Sequence, residues 1–400
     1  MWVEWNIALK FLRESGAQTV LIVIGIAVGT SVIVFITALI TGLQDNLIER
    51  TLGTQAHVKV QPPEETNQIV TQPGHPVLLT LEDRRAQRLR SILSWQEVVA
   101  SLEQLPGITA VSPVVAGPAF GVRGAAVKSV AVLGIDPVRY QRIIPVGSYL
   151  VAGSIRVGAG DALIGSRLAD DLGMSIGDKL RLEASGGRTA VLNVTGIFEL
   201  GVSELDTRYV YLDLKQAQSL LDLPGGVTVI DVTIEDIFAA ETYAARITRL
   251  TGLKAESWIE TNAQLMNGLR SQSLSTVMIS VFVAISVAFG IASVLAVSVV
   301  QRTREIGILR AMGSPRRQIQ RVFLLQGGVL GLAGSTAGAA AGYALVWVFN
   351  TFGPGLFPIP LAPTLIPGAM ALATLVGVVA AAAPARRAAR LDPVVAIRYV

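Results

Sequence analysis

Hydrophobic and polar positions divide the chain into four apolar stretches and one long polar block. The stretches Ala17–Leu43, Thr276–Val300, Val322–Phe349 and Thr364–Ala385 contain no Asp, Glu, Lys, Arg or His. Each exceeds the roughly 20 helical residues that cross a hydrocarbon core about 30 Å thick. Backbone at that depth has no water to bond, so helices, which satisfy their own amides, are the expected form. The pattern predicts an α-helical membrane protein with four transmembrane helices, one plus three, and a large mixed α/β extracytoplasmic domain over residues 44–275. A cleaved signal peptide is the rival reading of the first stretch. That run outlasts an h-region of about 7–15 residues, and no A-x-A-like site ends it.

Inside the block the period changes. Alternating or β-rich runs at Thr54–Gln61, Thr109–Val115, Lys128–Leu133, Lys179–Glu183, Ala190–Phe198, Arg208–Leu212 and Val227–Ile234 predict strands. Helical spacing marks Ser94–Leu105, Ser166–Leu172, Leu214–Leu221 and Ala239–Thr251. Pro62–Pro76 reads as a loop, and Ser185–Arg188 as a tight connection between two strands. Asp45–Arg50 and Glu260–Ser275 continue the adjoining apolar helices, so the domain is expected to stand on helical stalks.

Charge sets the orientation. The segments 1–16, 301–321 and 386–400 hold twelve basic residues against four acidic; of the totals of 33 and 29, that leaves 21 and 25 in the block. The loop 350–363 is uncharged. Short Lys/Arg-rich flanks stay inside, whereas a long domain translocates largely regardless of its charge. Both termini are therefore expected in the cytoplasm and the block outside. The net charge of +4 and pI near 9.5 come from these flanks and are no nucleic-acid footprint, since no basic residues cluster with aromatics. With no cysteine, the domain has neither a disulfide framework nor a thiolate metal site.

Enzyme chemistry finds little footing. His57 and His75 are the only histidines, and their spacing matches no metal pair. Phosphate-loop and nucleophile-elbow motifs are absent. Gly158-Ala159-Gly160 lacks a third glycine and a following helix, so it reads as a turn. Asp170-Asp171 and Glu235-Asp236 read as solvated faces. No catalytic residue, resident cofactor or metal is expected on this chain. Spans without ionisable groups offer no proton or ion relay, so energy for any transport must come from outside the chain.

The spans do carry small residues. Gly327, Gly331, Gly334, Gly338 and Gly342 share one helix face, and Gly25 and Gly29 form a shorter pair. Such faces let helices approach closely, within one chain or between subunits. In the cytoplasmic loop, Arg304 to Met312 forms a short amphipathic helix with Ile306 and Leu309 on one side. Gly313-Ser314-Pro315 then ends it. A surface helix of this kind suits docking into a groove on a cytoplasmic partner; the plainer reading is a basic loop that fixes topology.

The run Arg304-Glu305-Ile306-Gly307-Ile308-Leu309-Arg310-Ala311-Met312-Gly313, the C-terminal Leu391–Arg398 and the one-plus-three layout resemble permease subunits of ATP-binding-cassette transporters. The similar group contains the macrolide exporter, the FtsX-like cell-division permeases and the lipoprotein-releasing permeases. Ile164–Asp178, Val194–Gly201, Leu214–Leu221 and Ser257–Asn262 are similar to the lipoprotein-releasing branch. The resemblance implies a multi-pass bacterial inner-membrane protein with its large domain in the periplasm. It also implies a second permease copy or paralogue and a cytoplasmic ATPase dimer that holds ATP and magnesium. ATP-driven closure would pass up the stalks by mechanotransmission, and a periplasmic carrier or adaptor would receive the cargo. The loop helix becomes the coupling helix, with Arg304, Glu305, Ile306, Leu309, Arg310, Met312 and Gly313 as its ATPase-coupling residues. Lipoprotein or another amphiphile is the implied cargo, extracted from the outer leaflet. The alternatives are a tripartite drug, peptide or lipid exporter and a transmembrane regulator of periplasmic hydrolases. Lipoprotein-releasing permeases that capture a carrier do so with a long hairpin, and here the matching connection is only Ser185–Arg188.

Overall fold

The computed structural model describes residues 2–63, 89–184, 186–355 and 357–391. It divides into two compact units, Met1–Ile48 with Asn267–Val400, and Glu49–Met266. His75, most of Pro62–Pro76, Ser185 and the C-terminal motif beyond Leu391 lie outside the described residues.

The first unit is helical. Four helices, Gly16–Leu52, Ala263–Gln301, Arg316–Phe352 and Leu365–Ala389, are long and apolar enough to cross a membrane. An N-terminal helix, Trp2–Glu14, precedes them, and a connector helix, Thr303–Ala311, joins the second to the third. All four long helices overrun their apolar stretches. The first continues through the polar Gln44–Arg50, and the second begins at Ala263, well before Thr276. Gly268 lies in that polar lead with open space around it. One exposed helical glycine costs about 1 kcal/mol against alanine, too little to break a helix of 39 residues.

The third long helix organises this unit through its glycine face. A Cβ at Gly327 would lie 2.4 Å from the Gly377 carbonyl oxygen, and one at Gly331 would lie 2.9 Å from Thr374 Cα, both on the fourth helix. Further along, Cβ atoms at Gly334, Gly338 and Gly342 would meet Ile26, Ala27 and Val34 of the first helix at 2.5, 2.5 and 3.0 Å. One stripe therefore serves two neighbours in succession. Gly29 faces Val283 and Val287 of the second helix, whereas Gly25 has no neighbour within 4 Å. Within the chain, only Gly29 of the two packs against a neighbouring helix.

The second unit is built on ten strands: β1 (Val58–Gln61), β2 (Ile108–Arg123), β3 (Ala126–Ile135), β4 (Leu150–Gly153), β5 (Asp161–Gly165), β6 (Lys179–Ala184), β7 (Thr189–Phe198), β8 (Tyr209–Asp213), β9 (Val229–Ile234) and β10 (Lys254–Ser257). β2 belongs to two substructures. Its first half pairs with β9, which continues to β1 and β10; its second half pairs with β3 and β6. Pairing then runs β2–β3–β8–β5–β7–β6 and back to β2, a six-stranded ring without a free edge. Alternation builds its lining: in β6, Leu180 and Leu182 are fully buried while Lys179 and Arg181 face solvent. A second layer packs Tyr140, Leu163, Phe198 and Tyr211 together, with ring centroids 5.7 Å apart for Tyr140–Tyr211 and 5.1 Å for Phe198–Tyr211.

β2 extends well past the expected Thr109–Val115. Its Pro113 and Pro118 suggest an early stop, because proline donates no ladder bond. Pro118, however, lies where β2 has left β9 and not yet met β6, so only β3 is beside it. The short β4, β5 and β10 had no alternating signature, and β5 is buried along nearly its whole length. The β6–β7 connection is tight: the Gly187 amide donates to the Ala184 carbonyl at 2.9 Å, with Gly187 at φ 76°.

Candidate functional site

Two features of the helical unit concentrate chemistry, and the first is the connector. Gly313, at φ 97°, lets the chain leave the helix in a left-handed turn, and Pro315 starts the third long helix. The connector's inner side is already occupied. Ile306 is fully buried against Val299, Ile319, Phe323, Ala385 and Ala388, with Leu309 half-buried on the same cluster. Arg310 donates to the Ala389 carbonyl at 3.1 Å. Arg304, Glu305, Ile308, Met312 and Gly313 remain exposed. The apolar pair expected to face a partner instead seats the connector on its own bundle. Ile308 and Met312, four residues apart, form the outward apolar face.

Arg302 anchors the connector's start, a role hidden in the sequence behind its contribution to the loop's charge. Its side chain is 8% exposed and reaches Glu14 Oε2 at 2.7 Å and Glu305 Oε2 at 3.4 Å. It donates to the Phe11 carbonyl and the Ser15 hydroxyl, both at 2.9 Å, and its guanidinium lies 4.4 Å from the Phe11 ring centre. One fork therefore fixes the joint between the N-terminal helix and the first long helix to the connector. Across the unit, Arg321 meets the buried Glu4 at 3.5 Å.

The second feature is a groove between the first and second long helices. Its middle section, about 500 Å³, is lined by Gly25, Val28, Val32, Phe282, Val283 and Ile291, among other apolar residues. A neighbouring section of about 420 Å³ is lined by Thr37, Thr41, Gln44, Ser273, Thr276 and Ser280 besides aliphatic groups. Gln44 is oriented there by donating to Ser273 Oγ at 3.1 Å and the Leu269 carbonyl at 3.2 Å. The groove thus passes from an apolar section, whose one hydroxyl is Ser286, to a hydroxyl-rich section. Gly25 contributes by leaving space.

In the α/β unit the expected solvated acids make ordinary contacts: Asp171 pairs with Lys128 at 2.9 Å, and Asp236 caps the Phe238 amide. His57 Nδ1 lies 3.1 Å from the Ile234 amide, and burial holds its pKa below the usual value. Asp231 is different. It sits in the middle of β9, 6% exposed, with Lys59 and Ser112 opposite it on the flanking strands. Burial pushes its pKa up to about 6, with Lys59 partly opposing. Among the described residues no group of three or more His, Asp or Glu side chains could hold a metal ion.

The chain thus combines a helical bundle with a buried glycine stripe and a seated connector, and an α/β domain that follows its first long helix in sequence. The family model for the FtsX-like permease C-terminal region matches residues 277–393, and that for the MacB-like periplasmic core domain matches residues 19–250. The chain belongs to this family of MacB-like, FtsX-like permeases of ATP-binding-cassette transporters, as the sequence resemblance implied. It is 26% identical to the lipoprotein-releasing system transmembrane protein LolC of Xylella fastidiosa, over 94% of this chain and 92% of that protein. It is also 26% identical to the macrolide export ATP-binding/permease protein MacB of a Shewanella species, over 98% of this chain but 60% of that protein. The crystal structure of the periplasmic region of MacB from Actinobacillus actinomycetemcomitans aligns with 55% of this chain and 95% of that one, at 14% identity and a TM-score of 0.36.

Proposed function

We propose that this permease extracts lipoprotein or another amphiphile from the outer leaflet of a bacterial inner membrane, driven by ATP hydrolysis on a separate cytoplasmic ATPase dimer. ATP and magnesium belong to that partner. The observation that carries the reading is the groove between the first and second long helices. Its apolar length suits acyl chains, and its hydroxyl-rich section suits the polar linkage of a lipidated cargo. Each buried CH₂ of an acyl chain is worth roughly 0.8 kcal/mol, so release into water needs both an energy source and a receiving surface. The likeness to LolC along nearly the whole of both chains supports this cargo class. A second permease copy or paralogue completes the transporter, and a periplasmic carrier or adaptor takes the cargo.

The connector is the coupling element. Its buried Ile306 and half-buried Leu309 hold it to the bundle, while Arg304, Glu305, Ile308 and Met312 face the ATPase. A push on that face reaches the first long helix through Arg302.

The MacB-like core match favours one competing reading, efflux of a soluble drug or peptide. Proteoliposomes holding the permease with its ATPase, a fluorescent lipoprotein and a soluble carrier separate the two. Gly25→Leu should fill the groove and block ATP-dependent release while ATP hydrolysis persists. ATP-dependent movement of only soluble compounds, with the lipoprotein retained, would replace the proposal with efflux.

A further inference from the structure

We propose that the cleft bounded by the N-terminal helix and the third and fourth long helices is a binding site for one anionic diacyl phospholipid. The inference rests on the membrane placement proposed above but on a different groove, and needs neither cargo nor ATPase.

The cleft holds about 550 Å³ and is bounded by Trp5, Arg321, Leu325, Gly328, Leu332 and Val378. Its two ends differ in chemistry. At one end stands Arg321, its side chain 62% exposed and 3.5 Å from Glu4. Arg316 and Arg317 are exposed at the start of the same helix, and Arg317 lies one turn before Arg321 on its side. Arg321 with Arg317 on its side, against the one buried carboxylate of Glu4, leaves this end positive. Beyond it, Leu325, Gly328 and Leu332 continue the same side as an apolar channel. Leu332 is 52% exposed and Trp5 45% exposed.

A cationic end over an apolar channel, flanked by a tryptophan, matches a phosphate headgroup above its acyl chains. Tryptophan rings settle at headgroup level, and basic pockets between spans on the cytoplasmic side select anionic headgroups. A zwitterionic lipid would fill the channel equally well but gain less from the arginines. Gly328 keeps the channel open: a Cβ there would meet only Val378 Cγ2, at 3.4 Å. A larger side chain would therefore enter the cleft without displacing backbone.

The full-length chain, purified in detergent, is exchanged against dioleoyl-phosphatidylglycerol or dioleoyl-phosphatidylcholine and its retained lipid counted by native mass spectrometry. The wild type should keep one phosphatidylglycerol at least about tenfold more tightly than phosphatidylcholine. Arg317→Gln, which leaves the Glu4–Arg321 pair intact, should cut that preference about fivefold. Gly328→Leu should lose the retained lipid, while its unfolding temperature in lipid-free detergent stays that of wild type. Equal retention of both lipids, undiminished retention in Gly328→Leu, or a second copy of the chain held there would overturn the site. Failure of lipoprotein release in the transport assay would leave these readings unchanged, so the two proposals fail separately.

Discussion

Gly338→Ala tests whether the third long helix owes its position to its glycine stripe. The new methyl would sit 2.5 Å from the Ala27 carbonyl oxygen and 2.9 Å from Ala27 Cα, both backbone atoms. No rotamer change relieves such a contact, so the first and third helices must part by roughly 1 Å to restore ordinary separation. A gap of that size forfeits a quarter to a half of each dispersion contact. Gly334 against Ile26 and Gly342 against Val34 lie on the same face and share the loss. With on the order of 20 atom pairs worth about 0.1–0.2 kcal/mol each, the cost is about 0.5–2 kcal/mol. Residual strain brings it toward the upper end of the usual 1–3 kcal/mol for overpacking. Gly25→Ala is the matched control, because its methyl meets nothing within 4 Å and gains the same helix propensity. Titration of folded chain with a denaturing detergent should place Gly338→Ala about 2 kcal/mol below Gly25→Ala. If the two variants unfold together, the stripe is not what sets the packing.

Asp231 should make the α/β unit sensitive to pH. Its folded pKa of about 6 lies above the ordinary 3.8, so the folded state binds the proton more tightly. Stability should fall as pH rises from about 4 to about 6 and then level, by up to roughly 3 kcal/mol. Asp231→Asn should raise the unfolding temperature at pH 8, with the gain vanishing near pH 4; a gain independent of pH would exclude ionisation as the cause. Arg302→Met should cost about 1–3 kcal/mol, discounted because Glu14 is 45% exposed and can rehydrate, and Arg302→Lys should recover only part, lacking the fork. Thermal unfolding of the purified chain reads both, and full rescue by lysine would reduce Arg302 to a simple charge. Leu309→Asp should lower the unfolding temperature, whereas Met312→Asp should leave it unchanged and weaken ATPase copurification. An unaltered ATPase yield with Met312→Asp would remove the docking face. Orientation is open to cysteine labelling, since the native chain has none: Gly186→Cys should react with an impermeant thiol reagent in intact cells and Ser314→Cys should not, and the reverse pattern would invert the topology.

The long helices were legible because their signal is local: uncharged runs of sufficient length need no partner to be recognised. The same holds for the Gly313 stop and for strands such as β6, whose Lys179, Leu180, Arg181 and Leu182 alternate plainly. What stayed hidden depends on partners distant in sequence. β5 has no alternation because β7 and β8 flank it and both its faces are covered. β2 runs past Pro118 only because a neighbour is missing at that point. The connector shows the same limit with more consequence. Its 3.6-residue period announces two faces, but periodicity cannot say which is already occupied. The more apolar pair, Ile306 and Leu309, reads as the docking face until Val299, Phe323 and Ala388 close over it. The face left exposed is then the charged one, with Ile308 and Met312 within it. On the proposed coupling, a connector held by its apolar side and addressed by its polar side is gripped and released without leaving the bundle. On that coupling, this division of labour, with Arg302 tying the connector's first turn to Glu14 and Ser15 at the foot of the first long helix by an ion pair and a hydrogen bond, is the route by which a force applied at Met312 would reach the groove.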